Sequence, residues 1–428
     1  MDLLYYLNLI IAVGLILAPI WWSQRLLQLD WLNPVSLFTI CFLPVELFKL
    51  LIGQWFRDEG LMYPYFQFAV LMTNLQQCIG LLLLYFTARL KVTRQIPYII
   101  PRLGFYRKPD FGWISRVFFF LYVAAFLALA LKTGGVADWL LNIRDSYINK
   151  REGNGLYYAA AINFISISYF FCGIASDNWR AFTFRSIFYF FAVYILGSKG
   201  FLLNFFVFYL IIIWRQRQIN IGRILLIALP VAFLLLLVNF FSNQDAIEVA
   251  SIAQYFEYYP NAARYYADYF GGVIKLFEGQ VVLSSFWEYV PRGLFPEKPY
   301  VYGILHVVEF YFPGGAESGN TPAIYGGVPQ FADFGIIGLL FFAMINLLPL
   351  FYFAGLRYAL GEGAFLRAEG LSGRAVIICL LLFSPVFGVF LPTGIVASLL
   401  IFALGFIQFI RIIVRSFKPS YFKYSATK

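Results

Sequence analysis

Apolar residues fill this chain in long stretches, and polar residues collect in short islands between them. A helix that crosses a bilayer needs roughly 20 mostly apolar residues, and that template selects about eleven segments. They are Leu3–Trp22, Pro34–Ile52, Tyr65–Thr87, Ile114–Leu131, Tyr157–Ala175, Phe182–Leu196, Phe201–Trp214, Ile224–Phe241, Ile336–Leu356, Ala375–Phe390 and Ile395–Val414. Phe182–Leu196 and Phe201–Trp214 are short and share the break "GSKG". The pattern predicts an all-α polytopic integral membrane protein of about eleven transmembrane helices. The N-terminal segment lacks a basic flank and a small-residue cleavage site, so it reads as a retained span.

The islands orient the spans. Arg89, Lys91, Arg94, Arg102, Arg107 and Lys108 share one loop, Arg215, Arg217 and Arg223 another, and Arg411, Arg415, Lys418 and Lys423 the tail. Such clusters favour the cytoplasmic side, which puts the N-terminus outside and the C-terminus inside. Three regions follow: residues 1–241 with eight spans and an outward loop at 132–156, a large outward loop at 242–335, and residues 336–428 with three spans and a basic tail. The large loop is too aromatic for disorder, and its "IEVASIAQYFEYYPNAARYYADYFGG" predicts short interfacial helices broken at Pro260 and at Gly271–Gly272. Its tyrosines read either as a belt at the membrane interface or as rings that stack on sugars.

Composition agrees with a membrane chain: 61% of residues are hydrophobic, 13% are charged, and the mean hydropathy is +0.75. The net charge of +10 sits beside apolar runs, which suits anionic headgroups rather than nucleic acid. Cys41, Cys78, Cys172 and Cys379 lie inside apolar runs without a CxxC pair. With His306 the one histidine, a His-rich metal site is excluded, which leaves open only a metal held by carboxylates.

The candidate chemistry lies in the outward islands. Arg144 and Arg151 are seven residues apart, on one face if helical, and guanidinium forks suit phosphate oxygens. Lys199 stands in "GSKG", where glycines let backbone amides approach a ligand. In "WEYVPRGLFPEKPYVYG", Pro291, Pro296 and Pro299 stiffen a segment that carries Arg292, Lys298 and Tyr302. The alternative there is a structural strap whose cations pair with Glu288 and Glu297. Arg264 lies among the tyrosines, and His306, Glu317 and Asn320 follow in a turn-rich loop. His306 titrates nearest neutrality, which makes it a candidate base beside Glu317.

Together, "GSKG", "VPRGLFPEKPYVYG" and "GNTPAIYGGVPQFADFGIIGLLFF" resemble the O-antigen or oligosaccharide repeat-unit polymerases of the Wzy type, over roughly Tyr157–Leu356. The resemblance implies a GT-C-like membrane fold in a bacterial inner membrane, with its active site facing the periplasm. It implies an inverting glycosyltransferase without metal or cofactor, which moves a growing glycan from undecaprenyl diphosphate onto the next undecaprenyl-diphosphate-linked unit. It also implies a chain-length-determining co-polymerase as partner. Carried over by motif, Lys199, Arg292 and Lys298 bind diphosphate; Arg144 and Arg151 fit by location alone. Where related ligases carry a histidine, this chain offers Asn320. A flippase would instead place its charges within the spans, and a ligase would differ only in its acceptor.

Overall fold

The structure is a computed structural model. It describes residues 2–27, 30–55, 63–89, 110–141, 154–197, 199–216, 257–290, 295–317 and 326–345, with the single positions 143, 146, 222, 292 and 324. Every regular element among them is helical. The long helices are α1 Asp2–Leu27, α2 Pro34–Trp55, α3 Tyr63–Arg89, α4 Phe111–Lys132, and, after the short α5 Val136–Leu141, α6 Gly155–Ala175. Then follow α7 Trp179–Ile195, α8 Lys199–Arg215, α9 Tyr258–Phe270, α10 Gln280–Ser284, a 3-10 turn Ser285–Tyr289, α11 Leu305–Tyr311 and α12 Val328–Ile345.

Five of these helices are long and apolar enough to cross a membrane: α1, α2, α3, α4 and α6. At about 1.5 Å per residue, the 17 residues each of α7 and α8 fall short of the roughly 30 Å hydrocarbon layer. The ninth expected span, from Ile336, is helical to Ile345. Three others, Ile224–Phe241, Ala375–Phe390 and Ile395–Val414, lie outside the described residues.

Local chemistry starts and ends these helices. The Asn33 side-chain oxygen accepts from the amides of Val35 and Ser36 at 2.9 and 3.2 Å, ahead of Pro34 at the first helical position, where a missing N–H costs nothing. Asp110 caps α4 by accepting from the Trp113 amide at 3.0 Å. Gly197 of "GSKG" ends α7 with φ 77 and donates its amide to Tyr194, and Lys199 opens α8.

Two cores form. In the first, α4 and α6 lock together through reciprocal bonds, Ser115 Oγ donating to the Ser168 carbonyl at 2.9 Å and Ser168 Oγ to the Ser115 carbonyl at 2.7 Å. Such small polar residues let membrane helices approach closely. Tyr169 stands at the centre of this core, stacked on Phe205 with ring centroids 4.7 Å apart. Trp139 of α5 is buried there and donates its indole N–H to the Ile195 carbonyl at 2.9 Å. The second core joins α1, α2 and α3 to residues 259–339. Asn74 Nδ2 donates to Asn8 Oδ1 at 2.7 Å, and Asn8 Nδ2 donates to the Gln67 carbonyl at 3.0 Å, tying α1 to α3.

The approach of α6 to α8 depends on Gly173, where an added Cβ would come within 2.8 Å of Ile212 and 2.9 Å of Phe208. Gly173→Val is therefore expected to lose about 1–3 kcal/mol by overpacking, read as a lower unfolding midpoint in detergent. Gly14→Ala, where a Cβ meets nothing within 4 Å, should leave that midpoint unchanged or raise it.

Candidate functional site

The second core carries the candidate site on a platform of aromatic rings. In α9, Tyr259, Ala262, Ala263, Tyr265 and Tyr266 are buried at spacings that put them on one helical face. Their neighbours are rings of α3 and α12: Phe66 lies 5.8 Å from Tyr259, and Phe68 and Phe331 lie 4.8 and 5.0 Å from Tyr266, all edge-on. These three tyrosines are core, neither an interface belt nor a sugar platform. The expected break at Pro260 is also absent. The proline occupies the first helical turn, where its missing amide has no intrahelical partner to lose, so α9 runs through it and ends at Gly271.

Tyr266 donates its hydroxyl to the Gly326 carbonyl at 2.5 Å. Gly326 and Gly327 have φ 68 and 73, and a Cβ on Gly326 would meet Ala262 at 2.9 Å and Ala69 at 3.0 Å. Only glycine lets this backbone pass between α3 and α9. The second core also reaches α2: Lys49 pairs with Glu46 at 2.6 Å and stands over the Tyr258 ring at 4.7 Å.

From this platform α12 presents Asp333, which is only 1% exposed. Its Oδ1 accepts from the Val281 amide at 3.0 Å and its Oδ2 from the Val282 amide at 2.6 Å. Helix α10 has five residues, too few to persist alone, and its leading amides need acceptors. Asp333 supplies two from another helix, and the Phe277 amide donates to the Ala332 carbonyl at 2.9 Å. Just beyond Asp333, α12 kinks at Phe334 and Gly335, the latter with φ 62 and ψ −148.

At the end of α10, Ser284 Oγ lies 3.2 Å from His306 Nε2 and accepts from the Gly303 amide at 2.8 Å. The hydroxyl thereby joins α10 to the turn that opens α11. Burial pushes the His306 imidazole below its ordinary 6.5, against the opposing charge of Asp333, which raises it. His306 lines a cleft of about 370 Å³ with Glu278, Gln280, Leu283, Ser284, Phe286 and Trp287.

The proline-rich strap leads into the same turn. The Arg292 guanidinium donates to the carbonyls of Lys298 and Pro299, the latter at 3.0 Å, and lies 4.0 Å from the centre of the Tyr300 ring. Lys298 is 8% exposed, with its ammonium over the Tyr302 ring at 4.3 Å. The strap is thus closed by a cation on its own carbonyls and by two cation–ring contacts.

The remaining candidates divide. Arg264 is exposed and stands 4.8 Å over the Tyr311 ring of α11, the helix that also carries His306. Glu309 accepts from the amides of Gly314 and Ala316 at 2.6 and 3.3 Å, holding the turn that leads to the exposed Glu317. Lys199 opens a helix whose buried face belongs to the other core. Arg144, Arg151 and Asn320 lie outside the described residues. Ser284 and Glu278 carry no motif that singles them out, and Trp287 stands at the head of the proline-rich stretch without a role assigned to it there. Asp333 announces itself only as the acid before "FG" at a span entry.

The fold and site define an all-helical membrane protein that carries a histidine-bearing cleft of mixed apolar and polar lining and a basic strap. Its sequence is similar to two proteins named O-antigen polymerase, from Salmonella typhimurium strain LT2 and from Salmonella typhi. Each is 21% identical over 233 residues, 54% of this chain and 56% of the relative. The chain thus spans about half the length of the curated relatives it matches. No family model and no solved structure matches it.

Asp333→Ala would leave the Val281 and Val282 amides without their acceptor, at an expected cost of about 1–3 kcal/mol. Hydrogen exchange should report it as faster exchange in 280–284, with α4 and α6 unchanged.

Proposed function

We propose that this protein polymerises lipid-linked oligosaccharide repeat units, transferring a growing glycan from undecaprenyl diphosphate to the sugar of an incoming lipid-linked unit. One observation carries the reading: the only histidine of the chain stands in a cleft, hydrogen-bonded to Ser284, on a turn shared with the basic strap. Similarity to proteins named O-antigen polymerase supports it independently.

In this reading His306 is the general base. Its lowered pKa keeps the imidazole neutral at pH 7, able to take the proton of the acceptor hydroxyl, a role worth typically 10²- to 10⁴-fold. The strap faces the leaving diphosphate, where fixed positive charge offsets the negative charge that develops. Arg292 closes the strap through two carbonyls, so its role there is geometry as much as charge. Lys298 and Tyr302 add a second cation and ring to the strap, and Glu317 is the alternative base. Inversion follows if the acceptor oxygen attacks opposite the departing diphosphate, with the proton passing to His306 and no metal. The site faces the periplasm of a bacterial inner membrane, and a chain-length-determining co-polymerase is the expected partner.

Purified protein incubated with a defined undecaprenyl-diphosphate repeat unit should yield a ladder of products; flipping in liposomes without a ladder would favour a transporter. Turnover should fall on the acid side, through an apparent pKa below 6.5, as His306 becomes protonated. Arg292→Lys keeps the charge but cannot span both carbonyls, so it should lose polymer nearly as fully as Arg292→Ala. Retention of most activity by the lysine variant would reduce the role of Arg292 to charge alone.

A further inference from the structure

The cleft beside His306 has a wall that the reaction described above does not use. Phe286 and Trp287 stand side by side with ring centroids 4.7 Å apart and an interplanar angle of 33°. Phe286 is 53% exposed and Leu283 75% exposed, an apolar surface left open at a cleft mouth. Glu278 also lines the cleft, is exposed and adopts φ 51, the only residue other than glycine with positive φ among the described residues. A side chain held in that region carries backbone strain, and such strain gathers where structure is set for binding or chemistry. Here the backbone is fixed on both sides: Gly279 follows at φ 96, with a would-be Cβ 3.3 Å from Phe334, and the Phe277 amide is tied to Ala332.

An apolar wall of two adjacent rings, a lining carboxylate and the nearby amide of Gln280 match one ligand chemistry. A sugar ring presents C–H bonds on one face and hydroxyls around its rim, so aromatic rings take the face and acid and amide groups take the hydroxyls. The volume of about 370 Å³ is at the small end for ligand sites, which suits a sugar ring rather than a long glycan or a lipid tail.

We propose that the cleft is a sugar-binding subsite in which Trp287 and Phe286 form the stacking wall and Glu278 accepts hydroxyl hydrogen bonds, placing an acceptor hydroxyl beside His306. The choice of an acceptor sugar rests on the polymerase reading; the binding itself does not. Glu278 is a binding and specificity residue here. Its negative charge favours neutral sugars and disfavours uronic acids.

The test is saturation-transfer NMR on the detergent-solubilised full chain with free glucose, galactose, mannose, rhamnose, N-acetylglucosamine and glucuronate. At least one neutral sugar should receive saturation on its ring C–H protons, and glucuronate none. Trp287→Ala and Glu278→Gln should each weaken that binding about tenfold. Trp287→Phe, which keeps an aromatic ring, should retain most of it, and Glu278→Gln should gain a glucuronate signal. Unfolding midpoints equal to wild type establish that the variants are folded. No transfer from any sugar, or transfer that survives both Trp287→Ala and Glu278→Gln, overturns the proposal. Sugar binding with no ladder from the lipid-linked unit would keep the subsite and refute polymerisation. A ladder at wild-type rate from both variants would keep polymerisation and refute the subsite.

Discussion

The carboxylate of Asp333 is the interaction on which the candidate site depends. Both of its oxygens accept backbone amides of α10, a helix with five residues and no side-chain cap of its own. Without that anchor the Val281 and Val282 amides lose their acceptor, which loosens the helix that holds Ser284 between His306 and Gly303. A buried carboxylate is costly unless it is fully hydrogen-bonded. Here the cost is offset by amides that would otherwise be orphaned. Burial lowers the His306 pKa and the same charge opposes that fall, so one side chain both anchors the helix beside the imidazole and moderates its proton affinity.

What makes Asp333 a firm anchor is the aromatic packing beneath it. Phe331, two residues earlier, lies 5.0 Å from Tyr266 and 5.1 Å from Tyr269, both edge-on, the arrangement ring quadrupoles favour. Phe68 extends that cluster into α3. Rigidity therefore passes from a membrane-crossing helix through α9 to α12 and on to the cleft. The strap is held differently, by the Arg292 cation on the carbonyls of Lys298 and Pro299 and by cation–ring contacts to Tyr300 and Tyr302.

Much of the fold was legible because its cause is local. Seven of the expected spans, Leu3–Trp22 to Phe201–Trp214, fall on described helices α1 to α8, since a run of apolar residues with its backbone bonded internally has few alternatives in lipid. The tyrosines of α9 misled because composition shows that rings are present and not which face they take; the buried face appears only once Phe66, Phe68 and Phe331 are beside it. Pro260 misled because a proline is a breaker in the middle of a helix and harmless in its first turn. His306 and the basic strap were visible as residue types out of place in an apolar chain. Ser284 and Glu278 were not, because their significance comes from contacts across 22 residues for Ser284 and His306 and from a backbone angle for Glu278.

The chain has one histidine, so a histidine-labelled sample gives a ring resonance that reports His306 alone. Titrating it in the wild type and in Asp333→Asn tests directly whether Asp333 governs the site. The midpoint should lie below 6.5 in the wild type, because burial disfavours the charged imidazolium, and lower still in Asp333→Asn, because the charge that raises it is gone. A wild-type midpoint at or above 6.5, or the same midpoint in both proteins, would contradict this expectation.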